Sequence, residues 1–260
     1  GKERRSLILQ LENAAQKRAE PLQCVDLRHT DSLRGFLSGA TEPRAFNQVS
    51  EQQGVFTKSS GDVAKMRAEH GFFELASPEM RRFLMPTFGY AEEGKQASYK
   101  MEHLRVPDAS LQFVLGTFSQ AHFDHLLDQF FAFVKARWVD QQDRSAVLAV
   151  GQSQIVAKMQ TRLDTFLAIP VGVRVNAYLE AGGVGGIASM QARSEALVKK
   201  TLEESDLDFL AFSHGDPCLS NILFDGRTGL FRMIDPRGAT TAEEGLMHPL
   251  YDLAKFSHSI

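Results

Sequence analysis

Two short apolar runs, Ile222-Leu223-Phe224 and Leu230-Phe231-Arg232-Met233-Ile234, flank the turn-forming stretch Asp225-Gly226-Arg227-Thr228-Gly229. Apolar strands separated by an Asp-Gly turn fold back on themselves as a β-hairpin. Asn221 stands just before the first strand and Asp235 just after the second. Antiparallel pairing therefore sets a carboxamide and a carboxylate oxygen side by side at the open end. Both are hard ligands suited to Mg2+, which fills the rest of its shell with waters and substrate phosphates. Asp216 lies on the loop leading into the hairpin, placed to accept or orient a hydroxyl proton beside a metal-bound phosphate. Either residue type alone in a loop is most often a turn cap. The ordered set, with both strands in place, points to chemistry.

The rest of the chain divides by periodicity. Leu7, Leu11 and Ala14 recur at helical spacing between Ser6 and Arg18, ahead of Pro21, which predicts an amphipathic N-terminal helix or linker over residues 1–32. The runs Gly35–Ser38, Ala45–Ser50 and Val55–Lys58 predict an antiparallel meander. A helix is expected from about Asp62 to Leu75, then a further strand at Ala97–Met101. After Pro107 the pattern turns helical. Phe113, Leu115, Phe118, Phe123, Leu126, Leu127, Phe130, Phe131 and Val134 form an aromatic and aliphatic stripe of the kind that builds a core. Further helices are expected at Ile155–Leu167 and Ala192–Leu202, with one short sheet insertion near the end. A sheet-rich part, 33–104, followed by a helix-rich part, 105–260, predicts an α+β chain with a cleft between two lobes.

Composition removes several alternatives. A formal net charge of -3 lacks the basic excess of a protein that neutralises many phosphates, so no nucleic-acid partner is expected. Cys24 and Cys218 match no paired ligand spacing, and neither a zinc site nor a disulfide framework is expected. No apolar run is long enough to span a bilayer, and the polar start Gly1–Arg5 leads into no signal-peptide core. The expectation is a cytoplasmic protein with no membrane contact.

The order His214-Gly215-Asp216, four residues, Asn221, then Ile234-Asp235-Pro236 resembles the aminoglycoside phosphotransferase and choline kinase family. The resemblance runs from about Leu33 to Ile260, where many relatives continue with more helices. It implies a two-lobed protein-kinase-like fold with a small antiparallel-sheet N-lobe and a mainly helical C-lobe. It also implies ATP as phosphoryl donor with Mg2+. Asp216 is then the catalytic base, Asn221 a metal ligand, and Asp235 the carboxylate bridging metal to nucleotide phosphates. His214 braces the loop rather than taking the proton.

The amino-terminal lobe should supply a cation for the phosphates, and Lys58 on the run Val55–Lys58 is the candidate. In the related fold such a lysine pairs with a glutamate of the following helix. Glu69 is the first choice and Glu74 the alternative, while Lys65 is the competitor in the wrong register and a solvated edge lysine is the bland reading of Lys58. Tyr99–Leu104 resembles the family's hinge, which puts adenine near Met101, Glu102, His103 and Leu104. Leu37–Arg44 is either the loop covering the phosphates or a plain hairpin connection. Gly182–Gly186 lacks the Lys-Ser or Lys-Thr of a Walker loop and reads as a connection. Asp252 resembles the family residue that supports the active-site loops, or else caps a helix. The expected acceptor is a small molecule with a hydroxyl, a sugar or other metabolite before a drug, because no multi-acidic segment suits a polycation. The alternative from a different class is an inactive kinase-like module that binds nucleotide and regulates. No Ala-Pro-Glu segment follows Asp235, which disfavours a protein kinase.

Overall fold

In the computed structural model the described residues are 47–52, by their backbone, and 54–260. All fall within the compact unit Thr41–Ile260. The expected N-terminal helix, the run Gly35–Ser38 and the segment Leu37–Arg44 lie outside the described residues.

The chain is α+β. The described part begins with strands β1 (Asn47–Gln52) and β2 (Val55–Ser60), an antiparallel pair as the meander predicts. Helix α1 (Val63–Leu75) follows, started by Asp62, whose carboxylate accepts from the Lys65 amide at 3.0 Å and satisfies one of the orphan donors of the first turn. A single turn α2 (Pro78–Arg81) is capped by Ser77. Strands β3 (Thr87–Glu93) and β4 (Gln96–Glu102) complete a four-stranded sheet of order β1-β2-β4-β3.

Helices then dominate: α3 (Ala109–Val114) and α4 (Gln120–Ala136), the latter capped by Ser119. After β5 (Val139–Gln141) comes α5 (Arg144–Gly151), which runs through a π-helical turn, Gln152–Ala157, into α6 (Lys158–Leu167). Two more helices, α7 (Pro170–Ala181) and α8 (Ile187–Glu204), are joined across Gly182–Gly186, which is a connection as expected. Strand β6 (Phe209–Phe212) leads to the hairpin β7 (Ile222–Asp225) and β8 (Leu230–Met233), and β9 (Leu246–Met247) and α9 (Tyr251–Ser257) close the chain.

Two expectations are corrected here. The helical part carries two sheets, the β7–β8 hairpin and a three-stranded sheet β5-β6-β9, rather than one insertion. The second sheet leaves no pattern in the sequence because its members are short and far apart. The buried aromatic stripe is also narrower than expected. Leu126, Phe130 and Phe133 of α4 are fully buried, whereas Phe113, Leu115 and Phe131 are 42%, 49% and 48% exposed. A helix buries one face, and the residues at a, d and e positions leave Phe131 on its flank.

The core connects these elements into one support for the site. Phe72 of α1 stacks on Phe212 of β6 at 4.8 Å between ring centroids, and Phe130 stacks on Phe256 of α9 at 3.9 Å. Each such ring, fully buried, contributes about 2–3 kcal/mol. The segment after α2 is bonded directly to the hairpin: Met233 donates to the Phe83 carbonyl at 2.7 Å and Met85 donates to the Met233 carbonyl at 2.9 Å. The strand that delivers Asp235 is thereby fixed to the end of the helix that follows α1.

Candidate active site

Pairing of β7 with β8 sets Ile222 opposite Met233, and the Ile234 amide donates to the Asn221 carbonyl at 3.0 Å. Asn221 and Asp235 therefore flank the open end of the hairpin, as the turn sequence predicts. Asn221 is buried, and its Nδ2 donates to the backbone carbonyl of Asp216 at 2.9 Å. Only the amide nitrogen can donate to a carbonyl, so this bond fixes which way the carboxamide faces. Among the described residues no hydrogen bond reaches its Oδ1. Asp235 has φ +56°, the left-handed region that a non-glycine residue occupies at a cost of about 1–2 kcal/mol. Backbone strain of this kind persists where the surroundings hold it, and here the hold is an ion pair to Lys58.

Lys58 sits in β2 directly opposite Tyr99 of β4, and α1 lays Glu69 against both. The Lys58 ammonium donates to Glu69 Oε2 at 2.6 Å and to Asp235 Oδ1 at 3.0 Å. Tyr99 Oη donates to the same Glu69 oxygen at 2.8 Å, and burial beside that carboxylate raises the phenol well above its usual range, so it remains a donor. Lys58 and Glu69 are buried to 5% and 2% exposure, while Asp235 retains 28%. Glu74 instead faces Arg81 at 3.6 Å, and Lys65 approaches Glu69 only to 3.7 Å from an exposed position. The geometry selects Glu69 and Lys58 from the alternatives the sequence left open.

The loop carrying Asp216 is held from beneath. Asp252 of α9, wholly buried, accepts from the His214 amide at 3.1 Å and the Gly215 amide at 2.8 Å. Its charge is answered by Arg137 at 3.3 Å, which also donates to Ser213 Oγ and the Pro249 carbonyl. Burial lowers the Arg137 pKa and the Asp252 carboxylate opposes that shift. Gly215 has φ +81°, and a Cβ there would lie 2.7 Å from both Arg237 Cβ and Met247 Cε. His214 is buried and accepts the Asp216 amide on Nδ1 at 3.3 Å. Burial lowers its pKa against the raising effect of three nearby carboxylates, which keeps the ring neutral and bracing the loop. Asp216 itself is half-buried, and Lys255 of α9 approaches its Oδ1 to 2.7 Å.

Asp216, Asp235 and Glu69 line a single cavity of about 730 Å3. Met101 and Tyr99 are buried within the central strand β4, whereas Glu102 is exposed at its end and the His103 amide donates to the Gly54 carbonyl at 2.9 Å. Sequence reasoning misses Arg137 and Lys255, and it places Tyr99 in the hinge segment without its bond to Glu69. Nothing local marks these roles, since each acts across thirty or more positions.

Among the described residues no group of three or more His, Cys, Asp or Glu side chains is arranged to hold a metal ion. Mg2+ does not require one. The half-exposed carboxylate of Asp235 and the oriented Oδ1 of Asn221 supply two oxygen donors, and this set fits a cation that takes its remaining ligands from water and phosphate. No membrane-length apolar helix occurs among the described residues. No family model, curated protein or solved structure matches the chain.

Proposed function

We propose that this chain is an ATP-dependent phosphotransferase of two-lobed, kinase-like architecture, related in its catalytic loop to the aminoglycoside phosphotransferase and choline kinase family. It moves the γ-phosphoryl group to a hydroxyl of a small molecule. The observation that carries this reading is the cluster in which Lys58 bridges Glu69 and Asp235 at one end of a hairpin whose other flank, Asn221, is bonded to Asp216. Four elements distant in sequence converge here, each presenting the residue type that phosphoryl transfer uses, and Glu69, Asp216 and Asp235 among them line one cavity.

Asn221 and Asp235 would hold the metal, with Lys58 contacting the nucleotide phosphates and adenine received near Met101–Leu104. When bound, Mg2+ supplies neutralisation of the phosphate charge. Asp216 accepts the hydroxyl proton as the acceptor oxygen bonds to the γ-phosphorus and the bond from that phosphorus to the bridging oxygen of ADP breaks. Lys255, beside Asp216, orients the carboxylate. Glu69, itself held by Tyr99, keeps the Lys58 ammonium beside Asp235, so its position is set before a nucleotide arrives.

Calorimetric titration of ATP with and without Mg2+, on the native protein and Asp235→Ala, tests the nucleotide site. Binding that needs Mg2+ and disappears in the variant is expected. Asp216→Asn should keep ATP affinity within about twofold while ADP release falls by about 10²–10⁴. Native protein that is folded yet binds no ATP would sink the reading. ATP binding with no transfer to any acceptor would leave the inactive regulatory module.

A further inference from the structure

The cavity shared by Asp216 and Asp235 continues along a surface of positive charge that phosphoryl chemistry at Lys58 does not use. The π turn Gln152–Ala157 sets its geometry. Within that turn Gln154 donates to the Leu246 carbonyl at 3.4 Å and accepts from the His248 amide at 3.1 Å, which fixes the rotation of the helix that follows. π turns recur at functional sites because the extra residue re-aims what comes after. What comes after is Lys158, the first residue of α6, and Arg162 one turn on, so that both lie on one face.

Lys158 reaches to α9. Its Nζ donates to Tyr251 Oη at 3.0 Å and lies 5.7 Å from the centre of that ring. Lys255 stands one turn beyond Tyr251 and meets Asp216 at 2.7 Å. Arg162, Lys158 and Lys255 therefore form a file of cations ending on the base, and all three line the cavity. Arg162 is exposed and makes no hydrogen bond or ion pair among the described residues; the same holds for the Arg237 side chain, also on the cavity wall. Of the carboxylates on the cavity wall, Glu69 and Asp235 are ion-paired to Lys58 and Asp216 to Lys255, while Asp62 and Glu244 accept from neutral groups and keep their charge at the start of α1 and beside Thr240. Lys255 meets Asp216, the group an acceptor hydroxyl must approach, and Lys158 and Arg162 carry the positive face on along the cavity wall, with Arg162 left unpaired among the described residues.

We propose that the acceptor is an anion: a small molecule bearing a hydroxyl together with a carboxylate or phosphate. Arg162 and Lys158 take the anionic group while the hydroxyl meets Asp216. The proposal rests on the phosphotransferase reading and deepens it. Guanidinium and ammonium groups bind carboxylate and phosphate through charge-assisted hydrogen bonds, and an ammonium-bearing acceptor would face like charge along the whole file.

The test measures ADP release with ATP and Mg2+ against matched acceptors: glucose, glucosamine, glucuronate and glucose 6-phosphate, and glycerol, serinol, glycerate and glycerol 3-phosphate. ATP affinity is measured in parallel. Turnover is expected with at least one anion at a kcat/KM at least about tenfold above its neutral and amino counterparts. Carboxylates and phosphates appear separately, so the preferred anion is identified. Arg162→Gln and Lys158→Gln should each raise KM for that anion by about tenfold, with ATP affinity held within about twofold. Turnover of glucose, glucosamine, glycerol or serinol as efficient as that of the anions overturns the proposal and leaves the phosphotransferase standing. ATP binding with no anion turned over, or an anion KM unmoved in both variants, overturns it too. Absence of ATP binding removes the underlying reading and this one with it.

Discussion

Arg137 and Asp252, 115 residues apart, form an ion pair at 3.3 Å in which both side chains are almost wholly buried. Asp252 spends its two oxygens on the amides of His214 and Gly215 as well, so the pair suspends the loop that presents Asp216. A buried pair of this kind gains little over an apolar substitute, but breaking it strands a charge.

Asp252→Ala and Arg137→Met are each expected to lower unfolding free energy by about 3–5 kcal/mol, read from urea denaturation. The double variant should cost less than the sum by at least about 1 kcal/mol. Strict additivity would mean that the two residues stabilise independently.

Gly215→Ala should disturb the same loop from its other side. With φ at +81° and a Cβ 2.7 Å from Arg237 Cβ and Met247 Cε, the substitution is strained twice over. We expect a loss of about 1–3 kcal/mol in unfolding free energy, and turnover reduced more than ATP affinity, because Asp216 moves with the loop. Unchanged stability in denaturation would show that the loop relaxes freely.

Two buried imidazoles set a pH dependence. Burial lowers the pKa of His214 and of His248 below the usual value near 6.5. The unfolded chain then binds more protons than the folded one as pH falls below about 6.5, so the stability they contribute is complete above that pH and lost below it. Each histidine adds at most about 1.4 kcal/mol per pH unit. Unfolding free energies measured between pH 7.5 and 5 should fall with pH, and His248→Gln should flatten the profile. A native profile that is flat or rises on acidification would contradict the assignment.

The hairpin and helix α1 were legible because each is written in short-range chemistry, an Asp-Gly turn and an apolar period, whereas the approach of Lys58 to Glu69 followed from the family resemblance, which left Glu74 open. Strand β3 was not, since most of Thr87–Glu93 is half-buried or exposed and alternation requires a covered face. Helix α7 hides for the opposite reason. Val171, Val173 and Val175 alternate as a strand would, yet the segment is helical and leaves them 48%, 57% and 38% exposed. Arg137 and Lys158 carry no local signature at all, because each is placed by the partner it meets across the fold, Asp252 and Tyr251.

The β7–β8 ribbon separates the part of the molecule that must keep its length from the part that need not. Asn221 and Asp235 leave from its open end, while Asp225–Gly229 turns at the other. Matched additions on both sides of that turn would extend the ribbon away from the cavity and leave the two oxygens where they are. One residue inserted within either strand would exchange its faces, sending Ile222 or Met233 toward water and Asn221 or Asp235 out of line. Length variation among descendants of this chain should therefore collect at the turn and be purged from the strands.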